Sequence, residues 1–328
     1  MARPKVLLTN PIDPSGAHII GEVADVVVAP DAKPETLCRM VADADVLVVR
    51  SHLPADTFAW PHRLRGVVRH GVGLDMIPME AATAQAIPVA NVPAVNAEAV
   101  AEYCISGMLL LTRRMHRLDR DLRATDWSAS RELADDATEL FGRTVGIVGV
   151  GNVGRRVAEI CHAGFRMRVL GNQRRLGALP DFVTGVDVDT LFRESDFIVL
   201  NCPLTPETIN LVDASRIALM KRTAFIVNAS RGQVINEDVL VAALRVRRVA
   251  GAVLDVYREQ PLRRDHPFLA LDNVILTPHA AGITQESMRR MSEGAAQEVV
   301  RLLAGERPVN LVNPEVWDKH IERERGAA

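Results

Sequence analysis

Residues Thr144 to Gly154 constrain this chain more than any other stretch, because the β-branched run Val145–Val148 leads directly into glycines at 149, 151 and 154. A G-x-G-x-x-G pattern so placed ends a strand and opens a helix. Gly149 permits a tight turn, Gly151 lets the backbone approach a pyrophosphate, and Gly154 lets the helix pack down on the sheet. The helix N-terminus adds unpaired N–H groups for the anion. In a chain with 21 glycines the pattern alone is weak. The strand before it and the amphipathic run Val157, Ala158, Ile160 and Cys161 after it make a dinucleotide site the stronger reading.

A length of 328 residues exceeds what one hydrophobic core usually serves, so two domains are expected. Hydrophobic residues reach 48% with only 4% aromatic, which suits Val/Ile/Leu/Ala-rich parallel α/β sheets. A net charge of −2 gives no reason to expect nucleic acid or a membrane surface as partner. The four cysteines, at 38, 104, 161 and 202, and the nine histidines show no metal-ligand spacing. No metal is expected, and the scattered thiols fit a reducing compartment, the cytoplasm.

Apolar runs at Val6–Leu8, Val26–Val28, Val46–Val49, Val67–Val68 and Ile87–Ala90 alternate with helix-like segments after Pro14 and Pro34, a small parallel α/β unit. One long helix is expected from Asn96 to about Arg123, as a connector and possible dimer surface. A second unit starts at Val145 with six expected strands in βα alternation, a doubly wound dinucleotide-binding fold. The helix after Thr284 returns the chain to the first unit, and Ile321–Ala328 is expected to fray. The expected division is 1–97 with 285–328, and 98–284 inserted between them.

Seven ordered motifs then carry a resemblance. They are residues 69–75, 96–103, the glycine motif, 201–208, 227–232, 254–257 and 277–282. Together they resemble the D-isomer-specific 2-hydroxyacid dehydrogenase family. The resemblance implies a Rossmann domain inserted into a smaller flavodoxin-like α/β substrate domain, a nicotinamide cofactor, a 2-oxo or 2-hydroxy acid substrate, and a homodimer.

Reducing a 2-oxo acid needs a cation for the carboxylate and carbonyl and an acid for the new alkoxide. Arg231 and His279 each follow an apolar strand, at the carboxyl edge where open α/β sheets bind ligands. An arginine fork can bind carboxylate and carbonyl together, and histidine titrates near working pH. Taken alone, Arg231 could equally cap the next helix and His279 fill a loop; the resemblance implies the catalytic roles. It also implies that the backbone of Val72 and Gly73 holds the substrate carboxylate, with Ser51 and His70 lining the pocket. Cofactor contacts are implied for Gly149, Gly151, Asn152, Val153, Gly154, Cys202, Pro203, Thr208, Ala229, Asp255 and Gly282.

Two departures from the family pattern are informative. The acidic residue expected for the ribose 2′-OH of NAD is replaced by Gln173, nineteen positions after Gly154, followed by Arg174 and Arg175. Those residues favour a 2′-phosphate, hence NADP over NAD, an ordinary NAD-binding basic loop being the alternative. The usual glutamate partner of the histidine falls, by counting from Asp255, on Gln260, with Glu259 one residue early. Glutamine there also resembles formate dehydrogenases, which keeps formate oxidation as an alternative. An NAD(P)-sensing regulator would tolerate a weakened histidine partner but not explain both Arg231 and His279, and a Rossmann methyltransferase would need neither.

Overall fold

The computed structural model describes residues 3–59, 62–174 and 179–326. The chain divides into two compact units, Met1–Asn96 with Ile283–Ala328, and Ala97–Gly282.

The first unit opens with β1 (Lys5–Leu8), α1 (Pro14–Val23), β2 (Asp25–Val28), α2 (Pro34–Val41), β3 (Val46–Val49), β4 (Gly66–Arg69), α3 (Met79–Ala84) and β5 (Val89–Ala90). All five strands are parallel in the order β2-β1-β3-β4-β5, the flavodoxin-like order. Val46 to Val49 are fully buried, as a central strand covered on both faces requires. Asp13 caps α1 through Ser15 N at 3.0 Å, with Pro14 in the first helical turn.

The second unit begins with α4 (Ala97–Thr112), α5 (Met115–Ala124) and α6 (Trp127–Glu132). The single helix expected over 96–123 is therefore broken. Arg114 takes a left-handed φ of 52° between α4 and α5, which ends one helix and redirects the next. β6 (Thr144–Val148), α7 (Asn152–Phe165), β7 (Arg168–Asn172), β8 (Val183–Gly185), α8 (Val188–Glu194) and β9 (Phe197–Leu200) follow. Then come α9 (Ala214–Leu219), β10 (Phe225–Asn228), α10 (Glu237–Arg245), β11 (Gly251–Leu254) and β12 (Val274–Leu276). The strands form one parallel sheet in the order β12-β11-β10-β9-β6-β7-β8. Seven strands replace the expected six, because the three-residue edge strand β8 has only Val183 buried and so no apolar run to announce it. The order reverses between β6 and β9, the switch point at which doubly wound sheets bind nucleotides.

The chain then re-enters the first unit through α11 (Gln285–Leu303) and α12 (Trp317–Gly326). Thr284 and Ser287 form a reciprocal capping box at the start of α11. Met291, Ala295, Val299 and Leu302 give α11 a buried face at helical spacing. A Cβ on Gly16 of α1 would lie 2.5 Å from Ser292 O, so glycine is what lets the two helices approach. The expected fraying past Ile321 is corrected as far as residue 326. Arg323 donates from α12 to Leu64 O at 2.6 Å and Gln85 O at 3.2 Å, tying the helix to the unit.

Candidate active site

The three glycines of the 149–154 motif are not equivalent. Gly149 has φ 93°, and a Cβ on it would meet Cys202 N at 2.7 Å. On Gly154 a Cβ would lie 2.1 Å from Gly149 O. The protein's own packing therefore demands both. Gly151, exposed at the N-cap of α7, has nothing within 4 Å of its would-be Cβ. Open space over a smooth helix N-terminus is what a pyrophosphate needs, so the residues present fit a dinucleotide. Asn152 is exposed and Val153 half-buried beside it.

The loop after β9 lies against this turn. The Cys202 thiol is pushed up to about 11 by burial, so it stays protonated. Pro203 is exposed, and Thr208 spends its hydroxyl within the loop, donating to Pro203 O at 2.7 Å and accepting from Thr205 N at 2.7 Å. Past β7, Gln173 is half-buried and Arg174 exposed. Glu207 is held below the usual carboxylate range by the Thr205 hydroxyl first, and less by the Arg174 charge, which sets Arg174 near the 201–208 loop. Arg175 lies outside the described residues.

Arg231, Asp255 and His279 follow the adjacent strands β10, β11 and β12, and the backbone laces their loops together. Asp255 N donates to Asn228 O at 3.0 Å, and His279 N to Asp255 O at 2.8 Å. The side chain of Asn228, fully buried, shapes the turn before Arg231: it accepts from Ser230 N and Oγ at 3.0 and 2.8 Å and donates to Arg231 O at 3.0 Å. Arg231 is half-buried, with Nη1 donating to Ser230 O at 2.7 Å; Ala229 is half-buried as well. A Cβ on Gly232 would sit 1.9 Å from Tyr257 C, so the Arg231 turn presses directly on the segment after β11.

Asp255, 1% exposed, organises the histidine loop. Its carboxylate accepts from Thr277 Oγ1 at 2.6 Å, Ala280 N at 2.7 Å and Ala281 N at 2.9 Å. Thr277 Oγ1 has given its hydrogen to Asp255, so Tyr103 on α4, 2.6 Å away, must be the donor to it. Neither Tyr103, Thr277 nor Asn228 was singled out from the sequence. Residues 103 and 277 are distant in the chain, and no local pattern links them.

His279 holds a left-handed φ of 56°, a conformation that strains most residues. Its Nδ1 lies 2.9 Å from Gln260 Oε1, while Gln260 Nε2 points to Tyr257 O at 3.4 Å. An amide oxygen only accepts, so Nδ1 carries a hydrogen and Nε2 is the atom at which a proton can come and go. Gln260, not Glu259, is the residue that reaches the histidine. Gly282 is half-buried at the end of this loop.

In the first unit, the turn after β4 has its carbonyls occupied. Arg69 donates to His70 O at 2.7 Å and Gly73 O at 2.9 Å, Val92 N to Gly71 O at 2.9 Å, and Asn91 Nδ2 to Val72 O at 2.9 Å. The N–H groups of Val72 and Gly73 have no such bond among the described residues, leaving two adjacent donors of the kind that hold a carboxylate. Ser51 is half-buried, its hydroxyl bonded to Asn10 Oδ1. The expectation that His70 lines a pocket is corrected. Its ring is 3% exposed and bonded to Ser292 Oγ at 2.8 Å, and burial first, then Arg50 and Arg69, lowers its pKa to about 3. It is a neutral packing residue joining this turn to α11.

Comparison with known proteins agrees with this geometry. Residues 105–281 match the model for the D-isomer specific 2-hydroxyacid dehydrogenase, NAD binding domain. The chain is 38% identical to a glyoxylate reductase of Aeropyrum pernix, over 96% of this chain and 98% of that one. It is 36% identical to a D-3-phosphoglycerate dehydrogenase of Methanocaldococcus jannaschii, over 94% of this chain and 59% of that one. Among solved structures, an NADPH-dependent glyoxylate/hydroxypyruvate reductase of Sinorhizobium meliloti, in complex with NADP and malonate, superimposes with a TM-score of 0.84 at 25% identity, covering 95% and 98% of the two chains. A Rossmann-ordered sheet carrying an arginine and a histidine on strand ends two apart, in a chain matched over nearly its whole length, makes this chain a member of the D-isomer-specific 2-hydroxyacid dehydrogenase family, oxidoreductases that act with a nicotinamide cofactor on 2-oxo and 2-hydroxy acids.

Proposed function

We propose that the chain is an NADPH-dependent reductase of small 2-oxo acids of the glyoxylate and hydroxypyruvate class. The observation that carries this reading is the His279–Gln260 pair, fixed two strands from Arg231. A reduced nicotinamide, when bound, supplies the hydride. Arg231 holds the substrate's carboxylate and polarises its carbonyl, which an arginine fork does with two charge-assisted hydrogen bonds. His279 gives its Nε2 proton to the forming alkoxide. In the first unit, the adjacent N–H groups of Val72 and Gly73 are donors of the kind that hold a carboxylate. The glyoxylate reductase and glyoxylate/hydroxypyruvate reductase relatives support the substrate class. Met115, Leu122, Trp127 and Phe141, exposed within one segment, support assembly as a homodimer. The free thiols support a cytoplasmic location, and no described helix is long and apolar enough to cross a membrane.

Gln173 and Arg174 support NADP, since neither repels a 2′-phosphate and Arg174 attracts it. With glyoxylate or hydroxypyruvate as substrate, NADPH is expected to give a higher kcat/KM than NADH, and Arg174→Ala to narrow the ratio roughly tenfold. A wild-type preference for NADH overturns the cofactor assignment. Failure to oxidise either cofactor with any small 2-oxo acid overturns the reaction.

The amide partner has its own consequence. A carboxylate beside the imidazolium would hold its proton to higher pH, whereas Gln260 offers only a hydrogen bond. Gln260→Glu is therefore expected to move the alkaline limb of the kcat/KM profile for reduction upward by about one to two pH units. An unmoved limb would mean that it reports another group. Gln260 also keeps formate oxidation as a second reading, checked by following reduction of NAD with formate.

A further inference from the structure

Glu237, the first residue of α10, carries a carboxylate at a position only 5% exposed. Burying such a group is costly unless donors meet its oxygens. It does not cap its own helix. Asn236 does that, accepting from Val239 N at 3.3 Å. The guanidinium of Arg258 turns outward instead, to the exposed Asp238 at 3.6 Å. Both oxygens of Glu237 are directed to one stretch of the connection between β11 and β12. Oε1 accepts from Arg258 N at 2.6 Å, and Oε2 lies 3.4 Å from His266 Nε2. The histidine is committed to that contact. Its Nδ1 accepts from Phe268 N at 3.3 Å, so the ring's hydrogen is on Nε2 and faces the carboxylate.

Gln260 lies between these two anchored residues. Its oxygen meets His279 Nδ1 at 2.9 Å, but its own nitrogen has only a long contact to Tyr257 O at 3.4 Å. The direction of that flexible side chain therefore depends on where the backbone of 258–266 is seated. Two further contacts seat it against the Arg231 turn. Gln233 Nε2 donates to Arg258 O at 3.3 Å, and a Cβ on Gly232 would lie 1.9 Å from Tyr257 C and 2.4 Å from Arg258 N.

We infer that Glu237 is a positioning residue for the reaction: it seats residues 258–266 so that Gln260 holds His279 Nδ1. The inference rests on the reading of His279 as the proton donor. Glu237 acts through Gln260, not on the substrate. Because it also begins the helix that follows the Arg231 turn, one buried carboxylate sets the histidine's partner relative to the arginine.

Steady-state kinetics of glyoxylate or hydroxypyruvate reduction, arranged as a double-mutant cycle, tests this. Glu237→Ala is expected to lower kcat roughly tenfold, the scale of a small misplacement of a reacting group, with the KM for NADPH changed less than about twofold. Like Gln260→Ala, it should move the alkaline limb of the kcat/KM profile to lower pH, since the imidazolium loses its acceptor. Glu237→Gln, whose amide oxygen can still accept from Arg258 N, should recover most of kcat. On a Gln260→Ala background, Glu237→Ala should cost nothing more, because its intermediary is gone. If Glu237→Ala fails to fold by circular dichroism, His266→Phe removes the second anchor alone and goes through the same cycle, with a loss of about threefold expected. A folded Glu237→Ala with wild-type kcat and an unmoved limb overturns the assignment. So does a loss that multiplies fully with that of Gln260→Ala, the mark of a residue that only stabilises the unit. His279→Ala separates the two levels: full turnover in that variant removes the proton donor and this assignment together, whereas lost turnover there beside an unaffected Glu237→Ala removes Glu237 alone.

Discussion

Replacing His279 with alanine is expected to lower kcat for 2-oxo acid reduction by about 10²–10⁴-fold, the usual loss when a positioned general acid is removed. Its hydrogen-bonding pattern is the reason to expect the upper part of that range. Gln260 holds Nδ1, so Nε2 has one defined orientation rather than a choice of rotamers. Dinucleotide affinity should change little, because the 149–154 turn follows β6 in the middle of the sheet whereas His279 follows the edge strand β12. Arg231→Ala should act differently, raising KM as well as lowering kcat, since its fork acts on the substrate's anionic end. Arg231→Lys should rescue little, because a point charge cannot make the paired contact. Steady-state kinetics with cofactor titration separates these outcomes. A His279→Ala variant with near-wild-type turnover and intact fold would remove it from the chemistry.

The second large effect concerns Asp255, and it is read in stability. Asp255→Ala leaves Thr277 Oγ1, Ala280 N and Ala281 N without their shared acceptor at a site that is 1% exposed. Each unsatisfied buried donor costs about 1–3 kcal/mol, so a total loss of roughly 3–5 kcal/mol is expected after partial relaxation. Asp255→Asn keeps the volume and one acceptor oxygen and should lose less than half as much. Urea unfolding monitored by circular dichroism, with the m value held, measures both. A shift within about 0.5 kcal/mol for Asp255→Ala would mean that water replaces the carboxylate. Tyr103→Phe, at the outer end of the same chain of hydrogen bonds, should lie between these extremes.

The parts of this fold that were readable in advance are those written in local pattern. Fully buried parallel strands such as Val46–Val49 and Phe197–Leu200 need uninterrupted apolar runs, and such runs are visible without coordinates. The glycine turn was readable because its geometry forbids other residues. Gln260 was readable by counting from Asp255, since a short loop after a strand leaves little freedom. What escaped was set by distant partners or by single backbone outliers. Nothing in Arg113, Arg114 and Met115, with neither glycine nor proline among them, announces the break between α4 and α5. The α12 helix carries few apolar residues, and Arg323's bonds to carbonyls in the first third of the chain hold it. His70 sits in the expected motif, yet Ser292, more than two hundred residues on, determines where its ring goes. Tyr103 and Thr277 meet across 174 positions for the same reason.

The path of the chain also sets an order of maturation. The second unit, Ala97–Gly282, is one continuous stretch and contains its whole sheet, so it can complete its core as soon as β12 has left the ribosome. The first unit cannot. Its five strands are made first, but the surface against Gly16, Val92 and Gly66 stays uncovered until Ser292, Gly294 and Leu302 arrive on α11. A nascent chain thus carries an apolar sheet face, Val6, Leu8, Val48 and Val68 among it, exposed through the synthesis of the entire inserted unit. Closing that loop pairs residues nearly three hundred positions apart, the kind of contact that folds late and slowly. Premature termination before α11 is therefore most damaging to the unit whose strands are made before the insertion, and chaperone dependence should concentrate there.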